Sequence, residues 1–127
     1  MNKMPNKKIL MLSHDKELFS CLGAYIGWAG YNVEYAFNIH DGLSKIKSET
    51  YDLFVFDEFL DNTPSEELID KTRSDTSVIS HNKEIIFTSY EFPEKDKYNF
   101  LKKENIHFIN KYESIDAWLK KIEIIFR

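Results

Sequence analysis

The chain has 127 residues, a length that suits one domain. Hydrophobic residues make up 43% and charged residues 30%, which excludes a wholly disordered chain, and the net charge of −4 lacks the basic footprint of a nucleic-acid-binding module. A single cysteine, Cys21, excludes an internal disulfide and a multi-cysteine zinc site. No apolar run has the roughly 20 residues of a membrane span, or the core of a signal peptide. The sequence therefore predicts one cytoplasmic domain over residues 1–127, with its core at about 7–126, that contacts neither nucleic acid nor a membrane.

Short apolar runs alternate with helical periodicity in the first part of the chain. The run at 9–12 predicts a strand that is buried on both faces, and the spacing that follows predicts a helix capped by Asp15 or Ser13 and ended by Gly30. A second strand is predicted at 31–35, and Asn38 is expected to cap the second helix.

The same alternation continues to the end of the chain. A third strand at 53–56 ends at Asp57, and Thr63 with Glu66 forms a capping box that predicts a helix beginning at Pro64. Beyond a loop at 75–82, two further strand–helix pairs are predicted, with strands at 85–87 and 106–109, a helix between 93 and 104, and a last helix capped by Ser114. Five strand–helix units predict an α/β fold in which helices cover both faces of a five-stranded parallel sheet.

Three reactive side chains come at the ends of the last three predicted strands. Asp57 follows the third strand, Thr88 the fourth and Lys111 the fifth. Because ligands of such folds bind beyond the carboxyl ends of the strands, these side chains are expected to share one edge of the sheet. A carboxylate nucleophile, a hydroxyl donor and an ammonium suit a phosphoryl site. The alternative is that each residue is an ordinary strand end that meets solvent.

The order and spacing of these residues resemble those of response-regulator receiver domains of two-component signalling, a flavodoxin-like (βα)5 family. The resemblance runs from about Lys8 to Phe126 and is carried by the segment 52–57 with Asp57 as phospho-acceptor, Thr88 before the small Ser89, Phe108 at an aromatic switch position, Lys111, and the segment 30–33. It implies a three-layer fold with strand order 2-1-3-4-5. It also implies a switch through Thr88 and Phe108.

The resemblance implies partners rather than an enzymatic activity. A histidine kinase or phosphotransfer protein would supply the phosphoryl group. An output protein would dock on the face formed by the fourth helix, fifth strand and fifth helix, where homodimers also form in the family. Tyr90, Phe92, Tyr98 and Tyr112 fall in this region, and they either belong to a docking face or simply cover the edge of the sheet.

The metal-binding part of the family's pattern is degenerate in this chain. Receivers carry two acidic residues after the first strand that hold Mg²⁺ together with the acceptor aspartate, and here those positions are Ser13 and His14. Asp15 comes one position later, so that Asp57, with Asp15 and His14, is all that is left as a candidate metal site. Mg²⁺ prefers hard oxygen ligands in octahedral geometry, which a histidine supplies poorly.

Two mechanisms therefore compete. In the first, a receiver with a degenerate Mg²⁺ pocket is phosphorylated at Asp57 and switches its protein contacts. In the second, a pseudo-receiver acts as an interaction module without phosphorylation, and Lys111 simply pairs with Asp57. A flavodoxin-like redox protein or a phosphatase has no motif behind it. The sequence also predicts that Cys21 is a small buried hydrophobe and that the lysines around the fourth helix form a solvated mixed-charge face.

Overall fold

The predicted strands form one parallel sheet in the computed structural model, which describes residues 7–75, 77–78, 80 and 82–127. The strands in chain order are β1 (Lys8–Leu12), β2 (Asn32–Ala36), β3 (Leu53–Asp57), β4 (Phe59–Leu60), β5 (Thr63–Pro64), β6 (Glu84–Ser89) and β7 (His107–Asn110). The five-stranded sheet has the order β2-β1-β3-β6-β7, and every pairing in it is parallel. The predicted strand order is confirmed. The two short strands β4 and β5 form a separate antiparallel hairpin that is not among the predicted strands.

Within the described residues, five helices cover the two faces of the sheet. They are α1 (Lys16–Trp28), α2 (Ile39–Ser48), α3 (Ser65–Ser74), α4 (Lys95–Lys103) and α5 (Ile115–Phe126). The buried side chains of α1 and α5 pack into one hydrophobic cluster, and those of α2, α3 and α4 pack into another. The three-layer α/β architecture is thus confirmed. In the part of the chain that the structure describes, no helix is both long enough and apolar enough to cross a membrane.

Alternation along the central strands explains why their sequences are apolar without interruption. In β3, Phe54 and Phe56 enter the cluster beneath α2 to α4, whereas Leu53 and Val55 enter the cluster beneath α1 and α5. All four side chains are fully buried. A parallel sheet that is covered on both faces requires such continuous runs. The last residue of this strand, Asp57, is buried as well, so the core extends up to the candidate site.

Most of the predicted helix ends are confirmed. Asp15 accepts a hydrogen bond from the backbone N–H of Leu18, and Asn38 and Ser114 cap α2 and α5 in the same way. Gly30 follows α1 with a φ of 113°, a left-handed conformation that glycine adopts without strain.

The predicted start of the third helix is wrong by one residue. The helix α3 begins at Ser65, and Pro64 precedes it without a side-chain cap. The reason is that Thr63 and Pro64 pair with Leu60 and Phe59 in the β4–β5 hairpin, so the strand pairing takes the residues of the expected capping box.

Cys21 is exposed, which contradicts its prediction as a buried hydrophobe. The buried stripe of α1 consists of Phe19, Leu22, Gly23 and Ile26, and Cys21 lies outside it. Of the predicted loop at 75–82, positions 76, 79 and 81 lie outside the described residues, and Val78 and Ser80 are buried.

Candidate functional site

The carboxylate of Asp57 is the centre of the candidate site and is completely buried. Its Oδ2 accepts a hydrogen bond from the Ser13 hydroxyl at 2.6 Å. Its Oδ1 lies 2.6 Å from Nζ of Lys111 and accepts the backbone N–H of Glu58 at 2.7 Å. Both carboxylate oxygens are therefore engaged by donors from three separate parts of the chain. A charged group can remain buried only with such compensation.

The three residues that follow β1 each have a local role. Ser13 is fully buried, and its hydroxyl oxygen also accepts the backbone N–H of Asp15 at 2.8 Å. The exposed ring of His14 lies with Nδ1 3.1 Å from the carbonyl oxygen of Phe59. Asp15 caps α1 through Oδ1. The structure thus brings Ser13 to Asp57, while the hydrogen bonds of His14 and Asp15 go elsewhere.

The side chains around Asp57 do not form a suitable set of ligands for Mg²⁺. Such an ion needs several oxygen ligands in near-octahedral geometry, and one carboxylate whose oxygens already accept three donors does not supply them. Among the residues described, no group of three or more His, Cys, Asp or Glu side chains is placed to hold a metal ion.

Lys111 reaches Asp57 from the segment that follows β7. Its backbone N–H donates to the carbonyl of Ser89 at 2.8 Å, which continues the pairing of β6 and β7 and fixes where the side chain begins. The side chain is almost wholly buried, and Nζ lies 4.2 Å from the centre of the Tyr90 ring. The ammonium therefore has a carboxylate for one neighbour and an aromatic ring for another.

Thr88 lies beside Asp57 in the sheet, because β3 and β6 pair these two residues in register. It is fully buried, and its hydroxyl donates to the carbonyl oxygen of Ile109 at 2.7 Å. The sheet thus brings Asp57, Thr88 and Lys111 to one edge, with an ion pair between the first and the last and the Thr88 hydroxyl engaged by β7.

Phe108 of β7 lies among aromatic residues of β6 and of the segment between β6 and α4. Its ring contacts Phe87 and Phe92 at centroid distances of 6.4 and 5.6 Å. Phe92 in turn packs on Tyr98 at 5.5 Å. Phe92 and Phe108 line a cavity of about 570 Å³ that extends to Lys120, Lys121 and Ile124 of α5. Phe92 and Phe108 therefore form part of a surface depression, whose lining does not include Tyr90, Tyr98 or Tyr112.

Other residues at the site were not identified from the sequence. The Ser65 hydroxyl donates to the backbone carbonyl of Asp57 and ties α3 to the end of β3. Lys97 is not on a solvated face but lies 3.7 Å from Glu58 and 3.4 Å from Glu66, with Nζ 5.2 Å from the centre of the Phe87 ring. A lysine among acidic neighbours gives no signal in the sequence that it folds inward; only the tertiary structure shows it.

Comparisons with known proteins find the fold but no close relative in sequence. No family model matches the chain, and no curated protein sequence matches it.

Solved structures match closely in three dimensions. A CheY-like response-regulator receiver domain from Methanospirillum hungatei has a TM-score of 0.82 at 23% identity, over 94% of this chain and 92% of that one. A two-component response regulator from Clostridium difficile has a TM-score of 0.83 at 22% identity, over 96% and 97%. A response regulator from Burkholderia pseudomallei, solved with a phosphorylated aspartic acid, has a TM-score of 0.75 at 16% identity, over 90% and 65%. The chain has the fold of response-regulator receiver domains.

Proposed function

We propose that this chain is a receiver-type signalling domain of a two-component pathway in the cytoplasm that works through protein contacts, with Asp57 kept in an ion pair instead of serving as a metal-dependent phosphoryl acceptor. Its partners are proteins of such pathways, which it contacts without accepting a phosphoryl group: a histidine kinase or phosphotransfer protein, and an output protein. The fold supports the class of protein, and the site supports the mode of action.

The observation that carries the proposal is that both oxygens of the Asp57 carboxylate are already engaged, by Ser13, Lys111 and the backbone of Glu58. Ser13 stands where the family has an acidic residue, and it donates a hydrogen bond to Asp57 where that acid would add a second negative charge. Lys111 faces a single carboxylate, so the charges of the pair are balanced without a metal ion. Metal ions supply several kcal/mol of charge stabilisation in such transfers, on the order of a thousandfold or more in rate. Because the residues around Asp57 supply too few metal ligands, the stabilisation by a metal ion is missing.

Phosphorylation of Asp57 is the second candidate function. It is favoured by the placement of Asp57, Thr88 and Lys111 at one sheet edge, where the lysine would offset the charge of a phosphoryl group. The response regulator from Burkholderia pseudomallei, which this chain resembles in fold, was solved with a phosphorylated aspartic acid, and this supports the alternative. Under this alternative, Thr88 would exchange its hydrogen bond with Ile109 for one with the phosphoryl oxygen. The side chain of Phe108 would then move together with Thr88.

Intact-mass spectrometry after incubation with phosphoramidate or acetyl phosphate separates the two functions. We expect no gain of a phosphoryl group by the wild-type chain, with or without Mg²⁺. A gain that is lost in Asp57→Asn, but kept in a control variant at the exposed Asp70 of α3, Asp70→Asn, would overturn the proposal and establish the second candidate.

The variant Ser13→Asp tests the cause directly. It restores one acid of the family's pattern beside Asp57, and we expect it to gain Mg²⁺-dependent labelling that the wild type lacks. Circular dichroism and thermal melting check that the variant is folded, because a second buried carboxylate costs stability when the metal is absent. Labelling of the wild type and Ser13→Asp to the same extent would contradict the role assigned to Ser13.

A further inference from the structure

The surface above the Asp57–Lys111 pair is covered by two aromatic rings. Tyr90 follows β6 and Tyr112 follows Lys111, and their ring centroids are 4.8 Å apart with the planes tilted by 38°. The Tyr90 ring lies against the ammonium of Lys111, with 4.2 Å between Nζ and the ring centre. This distance is well within the range of a cation–π contact. Lys111 is 4% exposed, whereas Tyr90 and Tyr112 are 48% and 65% exposed. The Tyr90 ring therefore forms part of the boundary between the ion pair and solvent, and Tyr112 packs on it.

The two rings are held in place by more than their stacking. The side chain of Asn110 donates to the carbonyl oxygen of Tyr90 at 2.6 Å and accepts the backbone N–H of Tyr112 at 2.9 Å. Asn110 thus links the backbones of both tyrosines. The neighbouring side chain of Tyr90 raises the pKa of Tyr112 above its ordinary value. Because their backbones are linked through Asn110 and their rings pack together, the two exposed side chains have a defined position.

We propose that Tyr90 and Tyr112 form an aromatic lid that keeps Lys111 dehydrated and directed at Asp57. The inference rests on the proposed function, because it explains how the ion pair stays closed. Tyr90 and Tyr112 are positioning residues in this role. Lys111 and Tyr112 both line a shallow cavity of about 190 Å³ against Cys21 and Tyr25 of α1, so a molecule that binds there would touch the lid from the side. Displacement of the lid would open Lys111 and Asp57 to water and to anions.

The amine reactivity of Lys111 measures the lid without reference to phosphorylation. The folded protein is treated with low concentrations of acetic anhydride, and the acetylation rate of Lys111 is measured by peptide mass spectrometry relative to that of Lys120. We expect Tyr90→Leu, and the double variant with Tyr112→Leu, to raise the rate of Lys111 roughly five- to thirtyfold, the range that a desolvated cation–π contact spans.

Two further variants make the test specific. Tyr90→Phe keeps the ring and should retain the wild-type rate. Tyr98→Leu removes an exposed tyrosine of the separate Phe92–Tyr98 pair and should also leave Lys111 unchanged. An unchanged Lys111 rate in Tyr90→Leu and in the double variant, or an equal rise in Tyr98→Leu, would overturn the lid. Phosphoramidate labelling of wild-type Asp57 would instead overturn the proposed function, and it would leave the relative acetylation rates as they are.

Discussion

Asp57 and Lys111 are oppositely charged residues in a setting where burial is costly. Their side chains are 0% and 3% exposed, and their charged atoms are 2.6 Å apart. Desolvation of both groups opposes the attraction between them, so such a pair adds little net stability over an apolar pair of the same volume. Removal of one partner is different, because the other is then left buried with its charge uncompensated. The sequence therefore depends on the pair being complete.

The substitution Lys111→Met should reduce the free energy of unfolding by about 3–5 kcal/mol, since it leaves the Asp57 carboxylate without its counter-charge. The double variant Asp57→Asn with Lys111→Met should recover much of that loss. Urea denaturation at neutral pH measures both. Lys95→Met, at an exposed lysine of α4, is the matched control and should change stability by less than about 0.5 kcal/mol. Equal losses in the single and the double variant would contradict a buried ion pair.

At the level of residues, sequence reasoning succeeded where the fold itself fixes the position. Asp57, Thr88 and Lys111 lie at strand ends, and parallel strands bring their carboxyl ends to one edge. The partners of these residues were harder to predict. The sequence shows Ser13 in place of an acid, but the hydrogen bond from Ser13 to Asp57 depends on a rotamer that no sequence pattern shows. The inward position of Lys97 was missed for the same reason.

At the level of elements, the contact between α1 and β2 depends on a glycine. A Cβ built on Gly23 would lie 2.7 Å from Cε1 of Tyr35, closer than real Cβ contacts come. The ring of Tyr35 is stacked on Phe37 at a centroid distance of 5.5 Å, which restricts how far it can move aside. Gly27, one turn further along α1, has no neighbouring atom within 4 Å of such a Cβ. The two glycines of one helix thus have opposite structural requirements.

Alanine at these two positions should change stability in opposite directions. Gly27→Ala should raise the free energy of unfolding by about 0.5–1 kcal/mol, because alanine favours the helix and meets nothing. Gly23→Ala gains the same propensity but must displace Tyr35, and overpacking of this kind costs about 1–3 kcal/mol. Chemical denaturation of the two variants beside the wild type measures the difference. A Gly23→Ala variant as stable as Gly27→Ala would show that Tyr35 yields without cost.

The elements themselves were largely predictable because their signals are local. Apolar runs and periodicity located the five strands of the parallel sheet and the five helices of the described residues, and three side-chain caps lie in their predicted places. The error at Thr63 arose because two local signals compete at that point. A capping box and a tight hairpin use the same residues, and the pairing of Thr63 with Leu60 decides in favour of the hairpin.

At the level of the whole molecule, a second polar cluster lies at the opposite end of the strands from Asp57. The Tyr51 hydroxyl donates to Glu34 at 2.9 Å, and Nζ of Lys8 lies 3.1 Å from Glu34 and 2.8 Å from Glu49. Desolvation, and next the hydrogen bond to Glu34, raise the pKa of Tyr51 far above its ordinary value of 10.0. Desolvation alone would raise the pKa of Glu34, but the hydrogen bonds from Tyr51 and Lys8 outweigh it and lower that pKa.

The raised pKa of Tyr51 predicts how stability changes at alkaline pH. The folded chain keeps the phenol proton above pH 10, whereas the unfolded chain releases it, so the unfolded state binds fewer protons there. The contribution of Tyr51 is therefore fully present below pH 10 and is lost as the pH rises further. Urea midpoints between pH 8 and pH 11 should fall less steeply in Tyr51→Phe than in the wild type. The exposed Tyr25→Phe serves as the control and should keep the wild-type slope; the same slope in Tyr51→Phe would refute the assignment.

The ion pair of Asp57 affects how long a signal from this domain would last. An acyl phosphate on an aspartate hydrolyses, so the phosphorylated state of a domain lasts for a limited period and the signal ends with it. An ion pair between Asp57 and Lys111 has no such limited lifetime, because no covalent bond is hydrolysed. Under the proposed function, the strength of the signal follows the concentrations of the domain and its partner through mass action. Cells would then adjust it by synthesis and degradation of the proteins, over much longer times than a phosphoryl group survives.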